Sequence, residues 1–224
     1  MKMGYVTMLR IPRRLAAIGS AIICAGVALS TAPAATAAPC NDIEVVFARG
    51  TAEPAGIGRV GQALVAALTP LVGGQTIGTY GVNYPATYDF LTASDGAIDA
   101  TSYISALVAQ CPSTKIVLGG YSQGAAVIDM LAGIPPLGNK IGEIGSAPPL
   151  PADLDSRVAA VAVFGNPSTK FSIPITNSVF GGRAIDLCTD GDPICSRGRN
   201  PFAHSDYENQ GMPVTAANFI AGLV

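Results

Sequence analysis

The stretch Lys115-Ile116-Val117-Leu118-Gly119-Gly120-Tyr121-Ser122-Gln123-Gly124-Ala125-Ala126-Val127-Ile128-Asp129-Met130-Leu131 joins two unlike patterns. Ile116 to Gly119 is a short aliphatic run that reads as a buried strand, and Ala125 to Leu131 is an apolar segment that reads as a helix. The join, Gly120-Tyr121-Ser122-Gln123-Gly124, matches G-x-S-x-G, in which a sharp strand-to-helix turn lifts a serine into a strained conformation. Bulky residues two positions to either side of that serine would strike neighbouring backbone, so both glycines are steric requirements. The helix that follows aims its N-terminal amides at the place where negative charge develops when a serine attacks a carbonyl.

Further strand-like runs flank this stretch at Ile43 to Ala48, Ile77 to Val82, Val158 to Phe164 and Arg183 to Leu187. Ile57, Val60, Leu64, Leu68 and Leu71 recur at helical spacing, Ile98 to Val108 marks a helix that Pro112 terminates, and Pro213 to Leu223 reads as a closing helix. Short, uninterrupted strands mostly separated by helices predict an α/β fold with a parallel sheet covered on both faces. No repeat or linker divides the chain, and 224 residues suit one buried core.

A serine needs a base to become nucleophilic, and histidine is the usual one. The chain has one histidine, His204, and it follows Ser122 as the order serine, acid, histidine requires. Activity resting on such a base is expected to fall once the medium is acid enough to protonate an imidazole. The acids between them are Asp129, Glu143, Asp153, Asp155, Asp186, Asp190 and Asp192. Asp129 is expected to point away along its helix, Asp153 and Asp155 precede the fourth strand, and Asp186 lies inside the fifth. Asp192 falls beyond that strand, in a loop that a Cys188-Cys195 disulfide would hold still, which makes it the first candidate and Asp190 the second. An oxyanion hole would combine the amide of Gln123 with Thr51, which follows the first strand and offers both an amide and a hydroxyl.

Lys2, Arg10, Arg13 and Arg14 precede an apolar run from Leu15 to Leu29 and a small-residue stretch from Ser30 to Ala38, the order of a secretory signal peptide. The run is too short and too rich in Gly and Ser to span a bilayer, which needs about 20 apolar residues. Residues 1–38 are therefore expected to be removed, leaving a secreted domain over residues 39–224 with no stable membrane insertion; a twin-arginine route is the alternative reading of Arg13-Arg14. Four of the 13 basic residues and none of the 15 acids leave with this segment, so the mature chain carries −6. That balance offers no surface for nucleic acid. Cys24 leaves too, and Cys40, Cys111, Cys188 and Cys195 remain as an even set for an oxidising compartment. The short spacing favours a Cys188-Cys195 bridge, which pairs Cys40 with Cys111. Chain entropy assigns about 2.5 kcal/mol to the short loop and about 4.4 kcal/mol to the long one.

Two motifs are set aside. Gly56-Ile57-Gly58-Arg59-Val60-Gly61 satisfies G-x-G-x-x-G, but it stands well beyond its strand, and no acid closes the next strand as a dinucleotide ribose would need. Asp190-Gly191-Asp192 opens like a calcium loop, yet Ile194 and Cys195 occupy positions that need oxygen ligands and a glycine. No cofactor or metal is implied.

Taken together, Val45-Val46-Phe47-Ala48-Arg49-Gly50-Thr51, Gly120 to Gly124, Phe164-Gly165-Asn166-Pro167, Cys188 to Cys195 and His204 resemble the cutinase family, in particular the serine esterases that mycobacteria and their relatives secrete. The resemblance covers nearly the whole mature chain. It implies a compact α/β-hydrolase sandwich with a central five-stranded parallel sheet and no true lid. It also implies Ser122 as nucleophile, His204 as base, Asp192 as orienting acid, Thr51 and Gln123 as the oxyanion hole, and the same two disulfides. Fungal members typically carry a serine where Thr51 stands, and the segment Ala203 to Tyr207 departs from theirs. The expected substrates are lipid or polyester esters, gripped by one rim at Tyr84, Pro85, Tyr88 and Phe90 and another at Pro201 and Phe202, with Phe171 to Phe180 flanking the cleft. An acyltransferase or thioesterase on the same three residues, or a secreted binding protein on the same fold, are the alternatives.

Overall fold

The five expected strands pair into one sheet in the computed structural model, which describes residues 39–138 and 143–224. The expected leader over residues 1–38 lies outside the described residues. β1 (Ile43–Ala48), β2 (Ile77–Gly81), β3 (Lys115–Tyr121), β4 (Val158–Phe164) and β5 (Ala184–Leu187) run parallel in the order β2-β1-β3-β4-β5. Side chains alternate across the sheet. Ile43, Val45 and Phe47 join Val117, Ala160, Ala162 and Phe164 on one face; Val46 and Ala48 join Ile116, Leu118, Val161 and Val163 on the other.

Helices cover both faces, as the expected three-layer α/β class requires. α1 (Gly58–Leu68) packs on α6 (Met212–Ala221) over the Phe47 face, and α2 (Ala93–Gln110) packs on α3 (Gln123–Leu131) over the Leu118 face. Between them in sequence lie two short helices, α4 (Ala152–Asp155) and α5 (Pro201–His204). α2 starts five residues before Ile98, because the first part of its buried face, ahead of Ile104, is made of Ala93, Gly96, Ala97 and Ala100. Small residues pack a helix close to a sheet yet add little to a hydrophobic periodicity, so the pattern shortened it. α5 had no such signal either, since one turn is too brief for a period.

Both disulfides form as paired in the sequence reading, Cys40 to Cys111 and Cys188 to Cys195. The chain leaves β1 toward β2 on one side and returns to β3 on the other, so the loops after β1 and β3 diverge. That topological switch point opens a crevice at the carboxyl ends of the strands. Among the described residues, no helix is long and apolar enough to cross a membrane.

Candidate functional site

β3 runs through Gly120 and Tyr121, two residues beyond the run read from sequence, and delivers Ser122 directly to that crevice. Ser122 has φ 55° and ψ −116°, backbone that side chains other than glycine rarely adopt. Its amide donates to Phe164 O at 2.9 Å, which pins the turn to β4. A Cβ at Gly124 would stand 1.9 Å from Ala48 O, and one at Gly120 would stand 2.4 Å from Gly124 O. The glycines therefore let β1, the turn and α3 approach one another, as the motif requires.

Three sequence candidates meet here. Ser122 Oγ is 2.7 Å from His204 Nε2, and His204 Nδ1 is 2.7 Å from Asp192 Oδ2. Asp192 is fully buried, and its Oδ1 accepts from the Ile194 amide at 2.7 Å inside the disulfide-closed loop. Burial acts to raise the Asp192 carboxyl, but donation from His204, Tyr207 and the Ile194 amide outweighs it and holds the group below the ordinary carboxylate range. An ionised acceptor at Nδ1 keeps the imidazole proton there, so Nε2 is left as the acceptor for the Ser122 hydroxyl. Asp190, the second candidate, has no place in this chain of bonds.

His204 ends α5, a helix that Asn200 caps through Phe202 N and Pro201 opens. Its ring is held from three sides. Tyr121 stacks on it at 5.3 Å between centroids and donates its hydroxyl to His204 O, Tyr207 meets it edge-on at 6.0 Å, and Gly165 underlies it. A Cβ at Gly165 would fall 2.8 Å from His204 Cε1, which explains the glycine in Phe164-Gly165-Asn166-Pro167.

Thr51 and Gln123 also come together, through Thr51 Oγ1 donating to Gln123 Oε1 at 3.0 Å. The amides on either side of Thr51 are already engaged, Gly50 N with Glu53 Oε2 and Ala52 N with Ala86 O. Gln123 N opens α3 and so has no intrahelical acceptor. The Thr51 loop is braced by Arg49, whose buried guanidinium donates to Glu53 O, Val82 O and Tyr84 O.

Sequence reasoning missed Arg49, Tyr121 and Tyr207, since only the fold shows which arginine or tyrosine is buried beside the site. It also missed Asn166, which donates to both Asp129 and Asp186 beneath the site. Burial raises both acids, Asp129 strongly, and the Asp186 charge adds to the rise at Asp129.

A cavity of about 490 Å³ opens over Ser122, walled by Tyr88, Phe90, Ala126, Ile144, Ile194 and Arg59 among others. Two expectations about its rim need correction. Tyr84 is buried and donates its hydroxyl to Arg49 O, so it braces the loop; Phe202 is 81% exposed and outside the lining. The stretch 171–180 also stays out of the lining, because Ile175 and Phe180 turn into the core. Arg59, from the glycine motif set aside above, does reach the cavity and pairs with Glu53 and Glu208 at 3.5 and 3.3 Å.

The chain is similar to several known proteins. A family model described as Cutinase matches residues 39–224. The chain is 48% identical to a protein of Mycobacterium tuberculosis named phospholipase Culp4, across 95% of this chain and 92% of that one. It is 45% identical to carboxylesterase Culp1 of Mycobacterium bovis, across 94% and 96%. Among solved structures it is similar to Trichoderma reesei cutinase bound to a phosphonate inhibitor, with TM-score 0.66 and 35% identity over 83% of this chain and 77% of that one. On the match of the whole described domain and on these relatives, the chain belongs to the cutinase family.

Proposed function

We propose that this protein is a secreted serine carboxylic ester hydrolase that cleaves fatty-acyl or polyester esters through an acyl-enzyme. The observation that carries the reading is the continuous Ser122, His204, Asp192 relay, with both links at 2.7 Å, at the floor of a largely apolar cavity. Relatives named carboxylesterase, phospholipase and cutinase support the ester class.

In this reading Ser122 Oγ attacks the carbonyl carbon while its proton passes to His204 Nε2. Asp192 holds the Nδ1 proton and stabilises the imidazolium that forms. The carbonyl oxygen becomes an oxyanion facing the amides of Thr51 and Gln123 at the N-terminus of α3, with the Thr51 hydroxyl beside them. His204 then gives its proton to the departing alcohol. Water enters, loses a proton to His204 and releases the acid from Ser122 by the same sequence reversed.

The test is hydrolysis of p-nitrophenyl butyrate by the mature protein and by Ser122→Ala, together with labelling by a fluorophosphonate. Turnover and one label per chain, both abolished in Ser122→Ala, are expected. Turnover that survives in a folded Ser122→Ala would sink the assignment. Secretion is tested separately, by finding the chain in culture medium with an N-terminus near residue 38 or 39.

A further inference from the structure

A second cavity of about 400 Å³ adjoins the first. Leu137 and Ile144 line both. The far cavity is otherwise walled mainly by apolar side chains, among them Met130, Ile134, Pro149 and Ala147, with Ser146 and three glycines beside them. Its place in the fold is fixed. Gly145, next to Ile144, donates its amide to Phe90 O at 3.2 Å, and a Cβ at Gly145 would stand 2.1 Å from Leu91 O, so this wall is fastened to the loop carrying Phe90.

The two spaces also share a floor. Gln123 and Ala126 line the first cavity, Met130 and Gly133 the second. Spacings of three and four residues put Gln123, Ala126 and Met130 on one face of α3, with Gly133 just past its end. That floor extends about 15 Å from the Ser122 turn at the helical rise per residue. Ala126 and Gly133 are small, which leaves room above it, and Met130 is an adaptable side chain for an apolar guest.

We propose that the second cavity is a distal acyl chamber, which takes the far end of a long fatty-acyl chain whose carboxyl carbon lies at Ser122. Leu137 and Ile144 form the neck and set the length at which a chain begins to use the chamber. This rests on the ester hydrolase reading. The direction follows from the chemistry: His204 must hand a proton to the departing alcohol, so the alcohol lies on the histidine's side, and the acyl chain takes the other course along Gln123 and Ala126. The mainly apolar walls suit hydrocarbon, and no charged side chain among the lining residues is there to pair with a charged headgroup.

The experiment compares kcat/KM for p-nitrophenyl butyrate and palmitate in the unaltered protein, Ala147→Phe and Ile144→Ala. Ala147→Phe fills the chamber, and the palmitate-to-butyrate ratio is expected to fall about tenfold, the scale of losing a few methylene contacts, with butyrate within about twofold. Ile144→Ala widens the neck, and the same ratio is expected to rise. If Ala147→Phe does not fold, the direction of the Ile144→Ala change decides. Ratios unchanged with butyrate turnover intact would overturn the chamber and leave the hydrolase standing. Absence of butyrate turnover in the unaltered protein would overturn both.

Discussion

Tyr207 donates its hydroxyl to Asp192 Oδ2 at 2.6 Å, the same oxygen that faces His204 Nδ1. The phenol is buried, accepts from Thr189 N at 3.0 Å, and so clamps the acid to the first residue after Cys188. Burial and the Asp192 charge push Tyr207 well above the ordinary tyrosine range, so it stays a donor at every working pH.

Removing only that hydroxyl tests the clamp. Tyr207→Phe is expected to lower kcat about tenfold and to cost about 2 kcal/mol, the scale of a hydrogen bond to a charged group. Asp192 sits below its unfolded value, so it contributes stability above about pH 4, and this is lost as pH falls through the folded value. With one donor gone the folded value rises, and acid unfolding followed by circular dichroism should begin at a higher pH.

The pair Asp129 and Asp186 predicts the opposite pH response. Asp129 is fully buried and raised, so the folded protein holds a proton that the unfolded chain releases above about pH 4, and stability falls as pH rises from there through the folded value. Asp129→Asn keeps an acceptor for Asn166 without the charge. Its Tm is expected to exceed that of the unaltered protein at pH 8 and to converge with it near pH 4.

Thr51 separates an amide from a hydroxyl. Thr51→Val keeps the backbone and shape but removes Oγ1, which otherwise bonds to Gln123. If the hydroxyl helps to hold the oxyanion, kcat falls about a hundredfold with KM little changed, and Thr51→Ser restores most of it. A loss confined to KM would contradict that role.

The two disulfides are expected to do different work. Cys40→Ser with Cys111→Ser opens the long loop and should cost about 4 kcal/mol in urea unfolding, with butyrate turnover at low temperature largely kept. Cys188→Ser with Cys195→Ser should cost about 2.5 kcal/mol but cut turnover more, because Asp192 lies inside that loop.

By itself the sequence determined the sheet, the serine turn and the disulfide frame. Strands such as Val158 to Phe164 are buried on both faces and announce themselves as unbroken apolar runs, while Gly120 and Gly124 mark a turn no bulkier residue could make. The lone histidine and the acid between two near cysteines singled out His204 and Asp192 because chain order and spacing left few choices. What the tertiary structure alone decided is everything that depends on contact between distant segments. Tyr84 went inward to Arg49, Tyr207 came under Asp192, and Arg59 reached the cavity from a helix read as packing. None of these has a local signature, since a tyrosine or an arginine is shaped to serve a surface or a buried polar bond equally well. Only the parallel pairing of β1 with β3 and the return of the chain after β5 choose between them.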